Sequence, residues 1–227
     1  MKKTRLRKTF MVLLLLACCM AQPAAAHPHA FIDMRTVLLT NDKNELTGLT
    51  EHWVFDQFYT EFFLHEITNK KDGSIDRAKL LTLVQEMLKR LSAANYFVFF
   101  QGQDHGNGTN KGKPPAPLFK PVKSYDAYLE NKHIAIDFTL ELDQPLSARK
   151  QTIALKIYDP SYYTAMQHVQ AFNALHVEGD GRCTGRLIRT KPDAMWQELA
   201  AAIDRNAKAP DDLGTYFADK ITLTCGE

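Results

Sequence analysis

An α+β fold, antiparallel sheet with helices packed on it, follows from three features of the sequence. Stretches rich in β-branched and aromatic residues recur between turn-forming segments. Two segments between them switch to apolar spacings of three and four. A strand, strand, helix, strand order near the start is echoed later in the chain.

Taken in order, residues 29–40 and 46–55 flank the turn composition "NDKNE" and predict a hairpin. "DQFYTEFFLHEI" then places Phe58, Phe62 and His65 on one helical face, with Tyr59 and Phe63 beside it. A second helix over 76–93 carries Leu80, Leu83, Val84, Met87, Leu88 and Leu91 as a core stripe. "NYFVFFQG" reads as a strand, and "QDHGNGTNKGKPPAP" as an exposed Gly/Lys/Pro loop. Strands follow over 119–129, 132–142 and 151–158, then a short helix near 161–167. The tail adds a strand at 183–190, a helix at 192–206 starting with Pro192, and a strand at 219–225.

The first 26 residues have the form of a secretory signal peptide: Lys2, Lys3, Arg5, Arg7 and Lys8, an apolar core, then Ala24-Ala25-Ala26. The apolar core is shorter than the roughly 20 residues of a membrane span. Cleavage after Ala26 predicts a soluble periplasmic protein; "LLAC" ending at Cys18 is a weaker, lipobox-like alternative. Without this segment 23 basic residues stand against 26 acidic ones, a net charge of −3, which excludes a nucleic-acid-binding balance. The remaining chain, about 200 residues, is enough for one sizeable domain, 27–227. Cys183 and Cys225 remain, and in an oxidising compartment they predict one disulfide closing a loop of about 43 residues, with a thiolate metal pair as the alternative.

The internal echo is specific in its spacing. "HAFID" at 29–33 leads to "VFDQFYTEF", and "HIAID" at 133–137 leads to "IYDPSYYTAM". Asp56 and Asp159 close the second strand of each copy and precede an aromatic pair and a threonine. Duplication would make 27–102 and 131–190 related halves; a chance likeness between two β-rich hairpins is the plainer account. "TNKKDGSIDRAK" has the Gly73 and Ile75 of an EF-hand loop. Thr68, Lys70 and Lys79 occupy its first, third and twelfth positions, where calcium needs oxygen ligands that lysine cannot supply. The loop reads as a structural helix-loop-helix.

The candidate chemistry lies in the histidines. His27 and His29 share one face of an extended segment. With cleavage after Ala26, His27 also brings an α-amine of pKa about 8, so amine and imidazole chelate while His29 adds a third nitrogen. Pro28 has no N–H to give up, which blocks the square-planar chelate of amine-terminal copper motifs. Tetrahedral zinc, or copper in a histidine brace, remains. His52 in "EHWVFD" and Asp56 return toward the same end of the hairpin. With the turn centred near Lys43, Asp56 falls opposite about Ala30 and His52 opposite about Met34, and a one-residue slip reverses the face. His27, His29, His52 and Asp56 are thus the candidate metal ligands, with Asp33 or Asp159 orienting an imidazole. Each has a plain alternative: a frayed terminus for the first two and a half-buried histidine bonded to a carbonyl for His52. His65, His105, His133, His168 and His176 read as structural, with His105 at most a weak metal collector. No nucleophile with its base, phosphate-cradling loop or HExxH occurs, so no catalytic residue is assigned and the chain reads as a non-enzyme.

"HPHAFID" after a signal peptide, "EHWVFDQFY", "DGSID", "YFVFF", "IYDPSYY" and a cysteine near the end resemble a family of periplasmic proteins with a domain of unknown function, described as an uncharacterised transport component. It includes ZevA-type zinc-uptake proteins. The resemblance implies a periplasmic metal-handling partner of an inner-membrane permease of the nickel/cobalt transporter class, with zinc as cargo and copper or nickel as alternatives. Three functions follow as expectations: a zinc-binding accessory that captures or delivers metal, a histidine-brace copper enzyme, or a metal-free docking subunit of the transporter that uses the aromatic helix.

Overall fold

The computed structural model describes residues 28–101, 118–179, 182–203 and 210–226. The signal segment, His27, the Gly/Lys/Pro loop with His105, and the end of the 192–206 helix lie outside the described residues.

The fold is α+β. The hairpin forms as β1 (Ala30–Thr40) and β2 (Glu45–Phe55), followed by helix α1 (Gln57–Ile67) and helix α2 (Arg77–Leu91). After β3 (Val98–Phe100) come β4 (Tyr125–Glu130), β5 (His133–Ser147), β6 (Ile153–Ile157), β7 (Thr164–His168), β8 (Leu175–Glu178) and β9 (Cys183–Ile188). Helix α3 (Ala194–Ala202) and β10 (Lys220–Cys225) complete the chain. A six-stranded sheet runs β4-β5-β2-β1-β7, with β8 also beside β1, and a four-stranded antiparallel sheet runs β3-β6-β10-β9. β7 and β8 lie parallel to β1, an addition to the expected antiparallel plan.

Residues 161–167, expected as a helix, form a turn and then strand β7. Thr164–His168 pair in parallel with the free edge of β1, and tertiary pairing overrides the local pattern. β8 has no counterpart in the sequence reading. The two echoing segments are built differently. β1 and β2 pair with each other, whereas β5 pairs with β2 and β4, and β6 with β3 and β10.

One core joins the layers. Met34 and Leu38 on β1, Leu49 and Trp53 on β2, Ile136, Phe138 and Leu140 on β5, Leu80, Val84 and Leu88 on α2, and Leu155, Ile221 and Leu223 of the small sheet are buried together. Trp53 meets Phe138 edge to face, with centroids 4.8 Å apart. Both long helices are capped by aspartate: Asp56 accepts from the Tyr59 N–H and Asp76 from the Lys79 N–H. Between them the EF-like loop keeps a bridge between Thr68 and Ile75 and a positive φ of 72° at Gly73. The Lys79 ammonium donates to the Glu66 carbonyl, so a cation on a side chain ties this loop together.

The register of the hairpin is set by a bulge. Thr40 pairs with Leu46 but Leu39 with Gly48, leaving Thr47 as an extra residue whose hydroxyl donates to the Leu39 carbonyl at 3.1 Å. Burial on β2 accordingly changes phase, from Leu46 to Leu49, Glu51, Trp53 and Phe55. Gly48 is required there: a Cβ would lie 2.3 Å from the Leu140 carbonyl oxygen of β5.

The bulge also sends Glu51 inward, where it is 0% exposed. Thr36 Oγ1 and Trp53 Nε1 donate to its Oε2 at 3.2 and 3.1 Å. Thr36 Oγ1 also lies 3.1 Å from Nε2 of His168, itself 1% exposed. His168 Nδ1 faces Asp219 Oδ2 at 3.5 Å without the alignment of a hydrogen bond. Arg189 donates to that same Asp219 oxygen at 2.9 Å and to the His168 carbonyl at 2.6 Å. A polar chain therefore crosses the core from the large sheet to the small one. Burial works to raise the Asp219 carboxyl, but the close His168 ring, the hydrogen bond from the Thr190 N–H and the nearby Arg189 charge hold it below its ordinary value.

Cys183 and Cys225, opposed on β9 and β10, form the expected disulfide. Replacing both by serine should destabilise the fold by about 4 kcal/mol, the loop-closure value for this span, read by denaturant titration. A second expectation concerns Glu51, which burial pushes from its ordinary 4.5 to about 8 against the pull of Thr36 and Trp53. Between those values the folded protein holds a proton that the unfolded chain releases. The stabilisation is complete below the lower value and is lost as pH rises to the upper. Glu51→Gln should flatten that decline in a melting series from pH 4.5 to 8.5; an unchanged slope would assign it to another group.

Candidate functional site

The start of β1 and the start of β7 meet because Ala30 pairs with Thr164. That brings His29 beside Tyr163. The His29 N–H donates to the Tyr163 carbonyl at 2.8 Å, and the two rings lie 4.8 Å apart at 46°. Tyr163 is half exposed, so this edge is open to solvent.

Two aspartates frame the same edge. Asp56 Oδ2 accepts from the Phe31 N–H at 2.8 Å and its Oδ1 from the Tyr59 N–H at 2.8 Å. One side chain therefore ends β2, caps α1 and holds the first turn of chain after His29. Asp159 Oδ1 accepts from the Ser161 N–H at 2.9 Å and from its hydroxyl at 2.8 Å, while Oδ2 accepts from the Thr164 N–H at 3.0 Å. The Tyr59 phenol joins the two: burial first, then Tyr163, then Asp56 and Asp159 raise its pKa, opposed by a hydrogen bond with Thr164. The site edge thus comprises His29, Asp56, Tyr59, Asp159, Tyr163 and Thr164.

His52 belongs to a second group. It lies opposite Arg35 on β1 and Asp137 on β5, on the outer face of the large sheet. Its Nδ1 is 2.7 Å from Asp137 Oδ1, which makes that nitrogen the donor and fixes the ring. Its Nε2 is 3.2 Å from Glu130 Oε2 but not aligned for a hydrogen bond. Tyr128 donates to Asp137 Oδ2 at 2.8 Å, and Arg35 stands 3.9 Å from Glu130. Burial, then the bond to Asp137 and the surrounding acidic charge, push the Tyr128 hydroxyl up to about 12.

Of the four candidate ligands, His29 and Asp56 share an edge, His27 lies outside the described residues, and His52 stands apart. By strand alternation His52 is on the His29 face, because the bulge moves it opposite Arg35 and not Met34. The six residues from His29 to Arg35 still separate the two by roughly 20 Å along the strand. Asp33 is on the exposed outer face opposite Val54, and Asp159 is at the His29 edge. Among the described residues no group of three or more His, Cys, Asp or Glu side chains is arranged to hold a metal ion.

The sequence reading passed over Glu51, Asp219, Asp137 and Glu130, and took His168 as structural without finding its partners. Only Glu51 leaves a signal: it occupies the same parity as Leu49, Trp53 and Phe55, so a buried strand face must bury a carboxyl. The others meet their partners only across long stretches of chain, as His52 meets Asp137 85 positions on and Thr36 meets His168 132 positions on.

Asp56→Ala removes the cap of α1 and orphans the Phe31 N–H. It should cost about 1–2 kcal/mol in thermal or denaturant unfolding, with Asp56→Asn milder because an amide oxygen still caps.

A protein from Haemophilus influenzae, described only as uncharacterized, is 29% identical over 217 residues, which cover 93% of this chain and 97% of the relative. A family model described as protein of unknown function (DUF1007) matches residues 12–225. With nearly the whole described fold inside that match, the chain belongs to the DUF1007 family.

Proposed function

We propose that this protein is a non-catalytic, periplasmic metal-binding accessory that captures or delivers zinc for an inner-membrane permease of the nickel/cobalt transporter class. The observation that carries the reading is the His29 edge. The residue that follows "HP" is pinned by its N–H and by Tyr163 at an open margin, next to two backbone-saturated aspartates. His29 and the imidazole and amine of His27 would be the ligands. Asp56, whose two oxygens already accept from backbone N–H groups, holds the edge in shape. Copper and nickel suit the same nitrogens. The disulfide supports an oxidising compartment.

α1 favours docking to a membrane partner. Phe58 and Phe62 are 69% and 60% exposed, one turn apart, beside the His29 edge that α1 borders through Tyr59.

Zinc titration of the exported protein at neutral pH tests the reading. One ion should bind and be released as pH falls through the histidine range. His29→Ala should weaken binding by about a hundredfold or more, since even outer-shell partners are worth about 10–100-fold. His52→Ala should leave affinity within a few-fold. Equal affinity in wild type and His29→Ala would remove the terminal site.

A further inference from the structure

The outer face of the small sheet carries a pocket of about 290 Å³, near the lower end of small-molecule sites, about 300–1,000 Å³. The strand register builds it: Phe99 on β3 pairs with Lys156 on β6, which pairs with Lys220 on β10. Like charges directly opposite one another on neighbouring strands repel. Neither ammonium makes an ion pair among the described residues. Lys156 is half-buried, and burial, then the Lys220 charge, lowers its pKa against the opposing pull of Asp212 and Asp219.

The polar atoms have free capacity. Lys156 Nζ donates one hydrogen to the Thr215 carbonyl at 2.6 Å, which fixes the ammonium and leaves two N–H groups. The Phe99 and Tyr158 rings, 4.4 Å apart and tilted by 32°, form an aromatic wall. Asp212 also lines the pocket, but its Oδ1 accepts from the Tyr158 hydroxyl at 2.8 Å. Among the lining residues two ammoniums stand against one carboxylate, and Asp219, whose charge also reaches Lys156, is paired with Arg189. A pair of opposed, unpaired lysines costs stability, and an anion between them would relieve that cost.

We propose that this pocket binds a small organic anion, its carboxylate or phosphate head held between Lys156 and Lys220 and its flat apolar body against Phe99 and Tyr158. The site is separate from the metal edge and stands or falls independently of it.

Titration of the full exported protein with benzoate, acetate and inorganic phosphate at low salt, followed by amide NMR with chloride as control, tests it. Saturable shifts at Lys156, Thr215 and Lys220 are expected, with benzoate tighter than acetate because only benzoate reaches the aromatic wall. Lys220→Gln, whose side chain makes no hydrogen bond among the described residues, should weaken benzoate by about tenfold, the worth of one charge-assisted hydrogen bond. Lys156→Gln should do the same. Non-saturable shifts, equal shifts with chloride, or unchanged benzoate affinity in Lys220→Gln would overturn the proposal.

Discussion

β1 is hydrogen-bonded along both edges, and the rest of the structure depends on that. On one side it takes β2 antiparallel, and on the other β7 and then β8 parallel. Its inward residues Ile32, Met34 and Leu38 seed the core, while Thr36 receives the polar chain from Glu51 and His168. Its outward residue Arg35 meets the His52 group, and its first residue sets the level at which His29 and Tyr163 meet. A strand with two partners has little freedom to slip, because any shift turns its apolar face toward water.

The bulge at Thr47 is the second determinant, and it works at a distance. One extra residue near the turn reverses the facing of everything beyond it on β2. Trp53 goes inward against Phe138, Glu51 goes inward to Thr36, and His52 goes outward to Asp137. Burying Glu51 is costly. The cost is met by hydrogen bonds and by a retained proton, and the result is a polar link between the two sheets that a purely apolar core would lack. Arg189 and Asp219 close that link at the small sheet, whose other ends are tied by the Cys183–Cys225 disulfide.

The two proposed binding regions sit on different sheets and use different chemistry. The His29 edge offers nitrogen donors framed by carboxylates that the backbone already occupies, and the β6–β10 face offers unpaired ammoniums beside aromatic rings. The exposed phenylalanines of α1 adjoin the first and not the second.

Local chemistry was legible in the sequence wherever neighbours along the chain suffice. The hairpin, both long helices, the α+β class and the cysteine pair all follow from composition and spacing over short spans. Four things were decided only by tertiary structure. β7 is a strand because β1 offers it an edge; residues 161–167 alone do not choose. The facing of His52 depends on a bulge that composition does not announce, and its distance from His29 on the length of a strand already committed to pairing. Asp137 and Glu130 join His52, and His168 joins Thr36, across long stretches of chain. Lys156 and Lys220 are 64 positions apart in the sequence and become opposite only when β10 docks antiparallel on β6. Period and capping act over one or two turns of backbone, whereas a binding site is an intersection of distant strands.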